Sequence, residues 1–481
     1  MLYQNHDNNA INSQQANTTI HFFATILHTM KNQGVFMFIR ILPFLSILVF
    51  RFIGLFIVLP VISLLIAKMP DANMWNVGMA IGAPYLLQMV CQPFFGRWSD
   101  KYGRKPILMI GLIVFLIGTI ICMFESSIYY LILGRCVQGM GAIGGILTAL
   151  VADSVKEEKR TGAMALMGVG IFVSFIIAMI LGSILGAHFG LNSLFGLSAV
   201  VTLISLFITI FFVKPTQKIT YVYPNHNENK DTETDIKKSI FAVSLSGFIE
   251  KLLMVLTFAL VPIILNEHID KTHFWYIYLP AILAGIVALG PTSVISEKRG
   301  LAKEVLLASI GIFFIAYFCM ALWIDNIIVF GVGLACFFAA FSIQEALLQS
   351  MVSKYAKAKY RGKVIGDFSA AGFGGSFIGA MIGGFFSQYD TISMWHWTLF
   401  GTLMICMILW LFVVIILVRN PDAHKTLYIP LNQVGLKDLE TLNTLIGVME
   451  WYENLQENLL TIKYNTKILE SKQIYTLLQY K

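Results

Sequence analysis

Apolar positions along this chain gather into long runs. Twelve such runs lie at 42–66, 75–96, 107–124, 128–152, 163–187, 191–213, 239–265, 274–295, 304–323, 326–352, 364–387 and 393–418, separated by polar breaks. A helix needs about 20 mostly apolar residues to cross a bilayer. The longest break before residue 419 spans 214–238 and divides the runs six and six. The pattern predicts an all-α membrane protein of twelve transmembrane helices, in two six-helix bundles over 35–213 and 239–420 joined by a cytoplasmic linker over 214–238.

Both flanks of this region break the pattern. Residues 1–34 are polar and rich in Asn and Gln, and are expected to be a disordered tail. Residues 421–481 read as a separate small α+β domain. Thr426–Leu431, Glu450–Tyr452 and Leu459–Tyr464 suit short strands; Leu436–Val448, after a turn at Gly435, and Glu470–Gln479 suit helices. This βαββα order is most like a ferredoxin-like domain with its last strand lost or shortened. Leu439, Leu442 and Ile446 would form one apolar helical face. About 60 residues are marginal alone, so the domain is expected to dock on the membrane part, self-associate or bind a regulator.

Composition agrees with lipid as the solvent. Only 13% of residues are charged, against about 25% in soluble domains. A soluble fold would carry an untenable apolar surface. The net charge of +7 marks no nucleic-acid partner, because the basic residues sit between the apolar runs. Twenty Lys and Arg fall in alternate loops, against only Lys68 and Lys271 in the others. By the positive-inside rule the N-terminus is cytoplasmic, and an even span count puts the C-terminus there too. All six cysteines lie in apolar runs and none forms a CxxC pair, so no metal or other cofactor is expected.

The two halves share a pattern of small residues. Ala178, Gly182 and Gly186 line one face of the fifth span, and Gly375, Gly379 and Gly383 one face of the eleventh. Four-residue spacing lets helix backbones approach closely. Duplicated halves around a central site are a common transporter plan.

The loop after the second span reads Gly96-Arg-Trp-Ser-Asp100-Lys-Tyr-Gly103-Arg104-Lys105. Gly103 permits a tight turn, and Asp100 can pair with Arg104. This loop resembles the major facilitator signature G-x-x-x-D-[RK]-x-G-R-[RK] at every fixed position. The fourth span carries Arg135-Cys-Val-Gln138-Gly139-Met-Gly141, similar to the family's R-x-x-Q-G-x-G motif. The fifth span resembles the glycine-rich antiporter motif less closely: Ser183 replaces its proline, and Ala178 and Ala187 replace glycines. Arg51 through Pro60, Phe341-Ser-Ile-Gln-Glu345 and His273-Phe-Trp275-Tyr-Ile-Tyr278, with a cytoplasmic tail domain, look like the YajR-type group of proton-driven drug exporters. The resemblance covers roughly residues 45–475. It implies that Asp100 faces the positive N-terminal end of the eleventh helix and latches the halves together on the cytoplasmic side. It also implies that Arg135 takes part in proton coupling. Asp153, at the cytoplasmic end of the fourth span, could join Asp100 and Arg104.

Ionisable residues inside spans are functional candidates by default. Here they are Arg51, Arg135, Glu250, Lys251, Glu345 and Asp367. Glu345 shares a helical face with Ser342 and Gln349. Glu250 and Lys251 are adjacent, about 100° apart on a helix, and so are expected to need separate partners. Asp367 suits the first turn of its helix. These residues and motifs suggest a carrier in the bacterial inner membrane that moves small molecules by alternating access, coupled to protons. Arg51, Arg135, Gln138, Glu250 and Glu345 would serve the cavity or coupling, and Gly96, Asp100, Gly103, Arg104, Lys105 and Asp153 the cytoplasmic latch. Export is the leading reading, and uptake of a nutrient or metabolite on the same fold is the alternative. No nucleophile motif points to an enzyme.

Overall fold

The computed structural model describes residues 35–124, 127–214, 221–222, 230–322, 326–357, 360–387, 392–421, 424–434, 439, 442, 445–466 and 468–478. The expected N-terminal tail and most of the Leu436–Val448 helix lie outside them. Among the described residues, nine segments are long and apolar enough to cross a membrane. They hold the third to twelfth expected spans, because Gly162–Phe212 contains two of them. Gly190, at φ 71° and ψ −167°, breaks that long helix into the fifth and sixth. The first and second expected spans coincide in sequence with the helices Val35–Phe56 and Met74–Tyr102.

Glycine runs shape the helices locally. The fourth span, expected to be continuous, breaks after Met140 and restarts at Gly144. Gly139, Gly141, Gly144 and Gly145 crowd this stretch, and glycine disfavours helix by about 1 kcal/mol each. The break seats the fourth span closely. A Cβ on Gly139 would strike the backbone of Pro84, and one on Gly141 the carbonyl of Gly111. The first span likewise ends at Phe56 and resumes over Ile62–Ile66.

The small-residue stripes do the same job in each half. Gly182 lies against the carbonyl of Ile57 and Gly186 against Val61, so the fifth span packs on the first. Gly375, Gly379 and Gly383 lie against Phe248, Leu252 and Ala259, so the eleventh packs on the seventh. A second pair of contacts repeats between the halves. Lys105 donates to the Ile210 carbonyl at 2.8 Å, and Lys303 to the Ile415 carbonyl at 2.7 Å. Each lysine opens a helix and satisfies the last turn of the helix three spans later, where carbonyls lack intrahelical partners.

The halves meet unevenly. Away from the basic loops, Gly384 lies against the backbone of Met74 and Gly78, and Gly82 against Phe377 and Ala380. At mid-depth the Phe175 ring stands 5.4 Å from Phe258, 6.0 Å from Phe338 and 6.5 Å from Phe341, joining the fifth span to the seventh and tenth. At the end carrying the basic loops, a Cβ on Gly96, Gly362 or Gly366 would meet nothing within 4 Å beyond its own stretch of helix.

The C-terminal domain holds three strands, β2 (His424–Pro430), β3 (Val448–Asn454) and β4 (Leu459–Asn465), and the helix Ser471–Leu477. A two-residue strand, β1 (Tyr221–Val222), from the stretch expected to be only a linker joins the sheet, giving the order β1-β3-β4-β2 with antiparallel neighbours. The expected helix cannot reach Val448. Gly447 takes φ 105° and Val448 begins a strand. Ile446 is therefore 81% exposed rather than on the apolar face, while Leu442 is buried. The domain core is Ile429, Leu442, Trp451, Leu460, Ile462, Tyr464, Leu469, Ile474 and Leu478.

Candidate functional site

The seventh and tenth spans bring three charged side chains together. Lys251 donates to the carboxylate of Glu345 across the two spans, and its Nζ stands 3.6 Å from Glu250 Oε1. The expectation of separate partners for Glu250 and Lys251 is thus corrected: the long lysine side chain swings back over its neighbour. Glu250 is buried, whereas Lys251 and Glu345 are partly exposed, at 25% and 36% of their side chains. The Lys251 ammonium also lies 4.9 Å from the centre of the Phe341 ring. The trio therefore borders the aromatic cluster through which the halves meet. The rest of the seventh span is held from behind. Trp410 donates to Ser246 at 2.9 Å, and Tyr317 and Thr257 hydroxyls share a bond of 2.7 Å.

Sequence reasoning placed the two carboxylates but not the lysine as their hub. The available signal was a Lys next to a Glu inside an apolar run, where neither charge can be left alone. The polar stripe on the tenth span is shorter than expected. Ser342 is buried, Gln349 is exposed, and the buried amide is Gln344, which donates to Ser309 at 2.9 Å. Asp367 stands exposed near the start of its helix.

The arginines lie deeper in the N-terminal half. Arg135 is fully buried. Its Nε donates to the Ala80 carbonyl at 3.2 Å and its Nη1 to Gln138 Oε1 at 2.8 Å, and Gln138 in turn donates to Thr119 at 2.8 Å. The shared face of Arg135 and Gln138 thus becomes a network tying the fourth span to the second and third. Arg51 is 4% exposed, with its guanidinium carbon 3.9 Å from the centre of the Phe115 ring. That cation–π contact directs it to the third span, inside the half.

The loop after the second span assembles a charge cluster within its own half. Gly103 takes φ 97°, which an L side chain rarely adopts, and turns the chain directly into the third helix. Arg104 then reaches Asp100 at 2.6 Å, Asp153 at 3.1 Å and the Ser99 hydroxyl at 2.9 Å. Asp100 is 46% exposed on its side chain, with Arg104 as its ion-pair partner among the described residues.

This duplicated bundle, with its signature loop and buried charges, is a carrier's architecture. The chain belongs to the Major Facilitator Superfamily, whose family model matches residues 44–298 and 239–443. It is a secondary transporter of the YajR-like group, not an enzyme. It is 32% identical over 340 residues to the inner membrane transport protein YajR of Escherichia coli (strain K12), covering 69% of this chain and 74% of that protein. It is 25% identical over 391 residues to the class H tetracycline resistance protein of Pasteurella multocida, covering 77% and 94%. Among solved structures it resembles the human organic anion transporter MFSD10, with a TM-score of 0.60 at 16% identity, over 78% of this chain and 98% of that one.

Proposed function

We propose that this protein exports small molecules across the bacterial inner membrane by alternating access, in exchange for protons. It does so as twelve spans with both termini in the cytoplasm. The observation that carries this reading is the sharing of Lys251 by Glu250 and Glu345. Two carboxylates and one ammonium leave one negative charge unbalanced at membrane depth, where such imbalance is costly. A proton balances it. Proton binding at one carboxylate commits Lys251 to the other, and the trio adjoins the rings that join the two halves, so proton occupancy can bias how the halves meet.

Several observations support the rest of the reading. The basic loops suit a cytoplasmic face. The open packing around Gly96, Gly362 and Gly366 on that face, against close packing at the opposite end, suits a cytoplasm-open state. Export is favoured by the relative named for tetracycline resistance. Strand order β3-β4-β2 with antiparallel neighbours supports a ferredoxin-like domain without its last strand.

Everted membrane vesicles with an acidified lumen test the proposal, with tetracycline and ethidium as probes. Adding either probe should release lumenal protons through the wild type. Transport of both at the same rate with and without a pH difference would overturn the coupling.

A further inference from the structure

The sheet of the C-terminal domain has two unlike faces. Leu427, Ile429, Trp451, Leu460 and Ile462 alternate onto the face that packs in the domain core. Glu450, Tyr452, Asn454, Thr461 and Lys463 alternate onto the other. That second face is polar, yet Asn454 is 0% exposed, Thr461 1% and Lys463 6%. It is buried against the transporter.

The contacts fall on both halves. In the loop after the fourth span, both carboxylate oxygens of Glu157 are taken: Tyr452 donates at 2.5 Å and Asn454 at 2.7 Å. The Glu157 backbone N–H donates to Glu457 at 3.2 Å, and Arg160 faces Glu457 at 3.9 Å. Around the matching loop after the tenth span, Lys463 donates to the carbonyl of Lys354, in the last turn of that helix, at 3.2 Å, and Arg361, which opens the next helix, lies 3.9 Å from Glu450. Lys463 and Glu450, 3.7 Å apart, are cross-strand neighbours, so one rigid hairpin holds both sets of contacts. The segment joining the halves is held as well, because Tyr221 and Val222 pair with Asn454 and Glu453.

We infer that the C-terminal domain is a clasp across the basic end of the transporter. Its β3–β4 hairpin fixes the separation of Glu157 and Arg160 from Lys354 and Arg361, and it must release the Glu157 side before that end can close. Alternating access changes the spacing between the halves, and a hairpin with fixed strand pairing cannot stretch to follow. The clasp therefore holds the observed state until the Glu157 contacts part. The functional consequence rests on the alternating-access reading above; the clasp itself rests on the contacts.

The test uses the full chain in detergent and in everted vesicles, with Glu157→Gln and the milder Tyr452→Phe. Amide hydrogen exchange should rise in 156–160 and in 354–361 together, although only the first contact is altered, while β2 and β4 keep their protection. Tetracycline-driven proton release should speed up by about fivefold, at the low end of usual coupling strengths. Faster exchange confined to 156–160 would overturn the clasp and leave a local contact. Faster exchange in both loops with an unchanged transport rate would overturn its hold on the cycle. If the wild type moves neither probe, the transport reading fails, while the exchange pattern still decides whether the halves are clasped.

Discussion

Lys251 bridges Glu345 of the tenth span and Glu250 of its own, so one ammonium serves two carboxylates inside the C-terminal half. Replacing Glu345 with Gln removes one charge and retains the shape. Lys251 and Glu250 then balance without a proton. Net proton-driven movement of tetracycline should be lost, while exchange of labelled for unlabelled probe across the membrane continues. A Glu345→Gln protein that still concentrates the probe under an imposed pH difference would remove this residue from the coupling step.

Removing the hub should cost stability. Lys251→Met leaves Glu250 buried beside a second carboxylate. Breaking a fully buried pair costs about 3–5 kcal/mol, and partial exposure of Lys251 and Glu345 reduces this to about 1–3 kcal/mol. The melting temperature in detergent should fall. It should recover in part in Lys251→Met/Glu250→Gln, which returns the site to the single net negative charge of the wild type and leaves it on the partly exposed Glu345.

Asp100 is the exposed member of the Arg104 cluster. Asp100→Asn removes an ion pair with a half-exposed aspartate and should cost about 0–1 kcal/mol, so expression should hold. Asp153→Asn removes the more enclosed partner and should cost more. If Asp100 also latches the basic end in the closed state, labelling of cysteines placed near Gly96 should rise in Asp100→Asn. Labelling equal to wild type would confine Asp100 to its pair with Arg104.

Glycines separate the two ends of the carrier. A Cβ on Gly384 would strike the backbone of Gly78, whereas one on Gly96 meets open space. Gly384→Val should block the observed packing and hold the opposite end open, abolishing transport with insertion intact. Gly96→Ala should leave this state unaltered and slow the cycle only through the state in which the basic end closes. Cysteine accessibility at each end, measured in both variants, distinguishes these outcomes.

Deleting 422–481 removes the clasp but none of the helical spans. The truncated chain should still insert and elute as a folded species on size-exclusion chromatography, with an altered transport rate. Complete aggregation would make the domain a structural part of the carrier.

Much of this protein is legible along the chain because lipid imposes a one-dimensional rule. A spanning helix satisfies its own backbone, so length and apolarity alone mark the runs that became helices over 104–122 and 302–322. Local motifs were equally readable. Gly103 turns the chain at a positive φ, and that turn brings Arg104, the first residue of the next helix, back onto Asp100. Arg135 and Gln138 meet because one turn of a continuous helix separates them. The break in the fourth span was not readable, because glycines bend a helix only where a neighbour such as Pro84 comes close enough to require it. Nor was the Lys251 hub, since helical phase separates it from Glu250 and only its four-carbon stem and the placement of the tenth span reunite them. Glu157 gave no sign at all. It is an ordinary loop acid until a strand some 300 residues further on presents Tyr452 and Asn454 to it. Periodicity and short-range chemistry depend on neighbours in sequence and can be read there. Contacts between distant segments depend on how the folded surfaces meet, and those the tertiary structure alone decided.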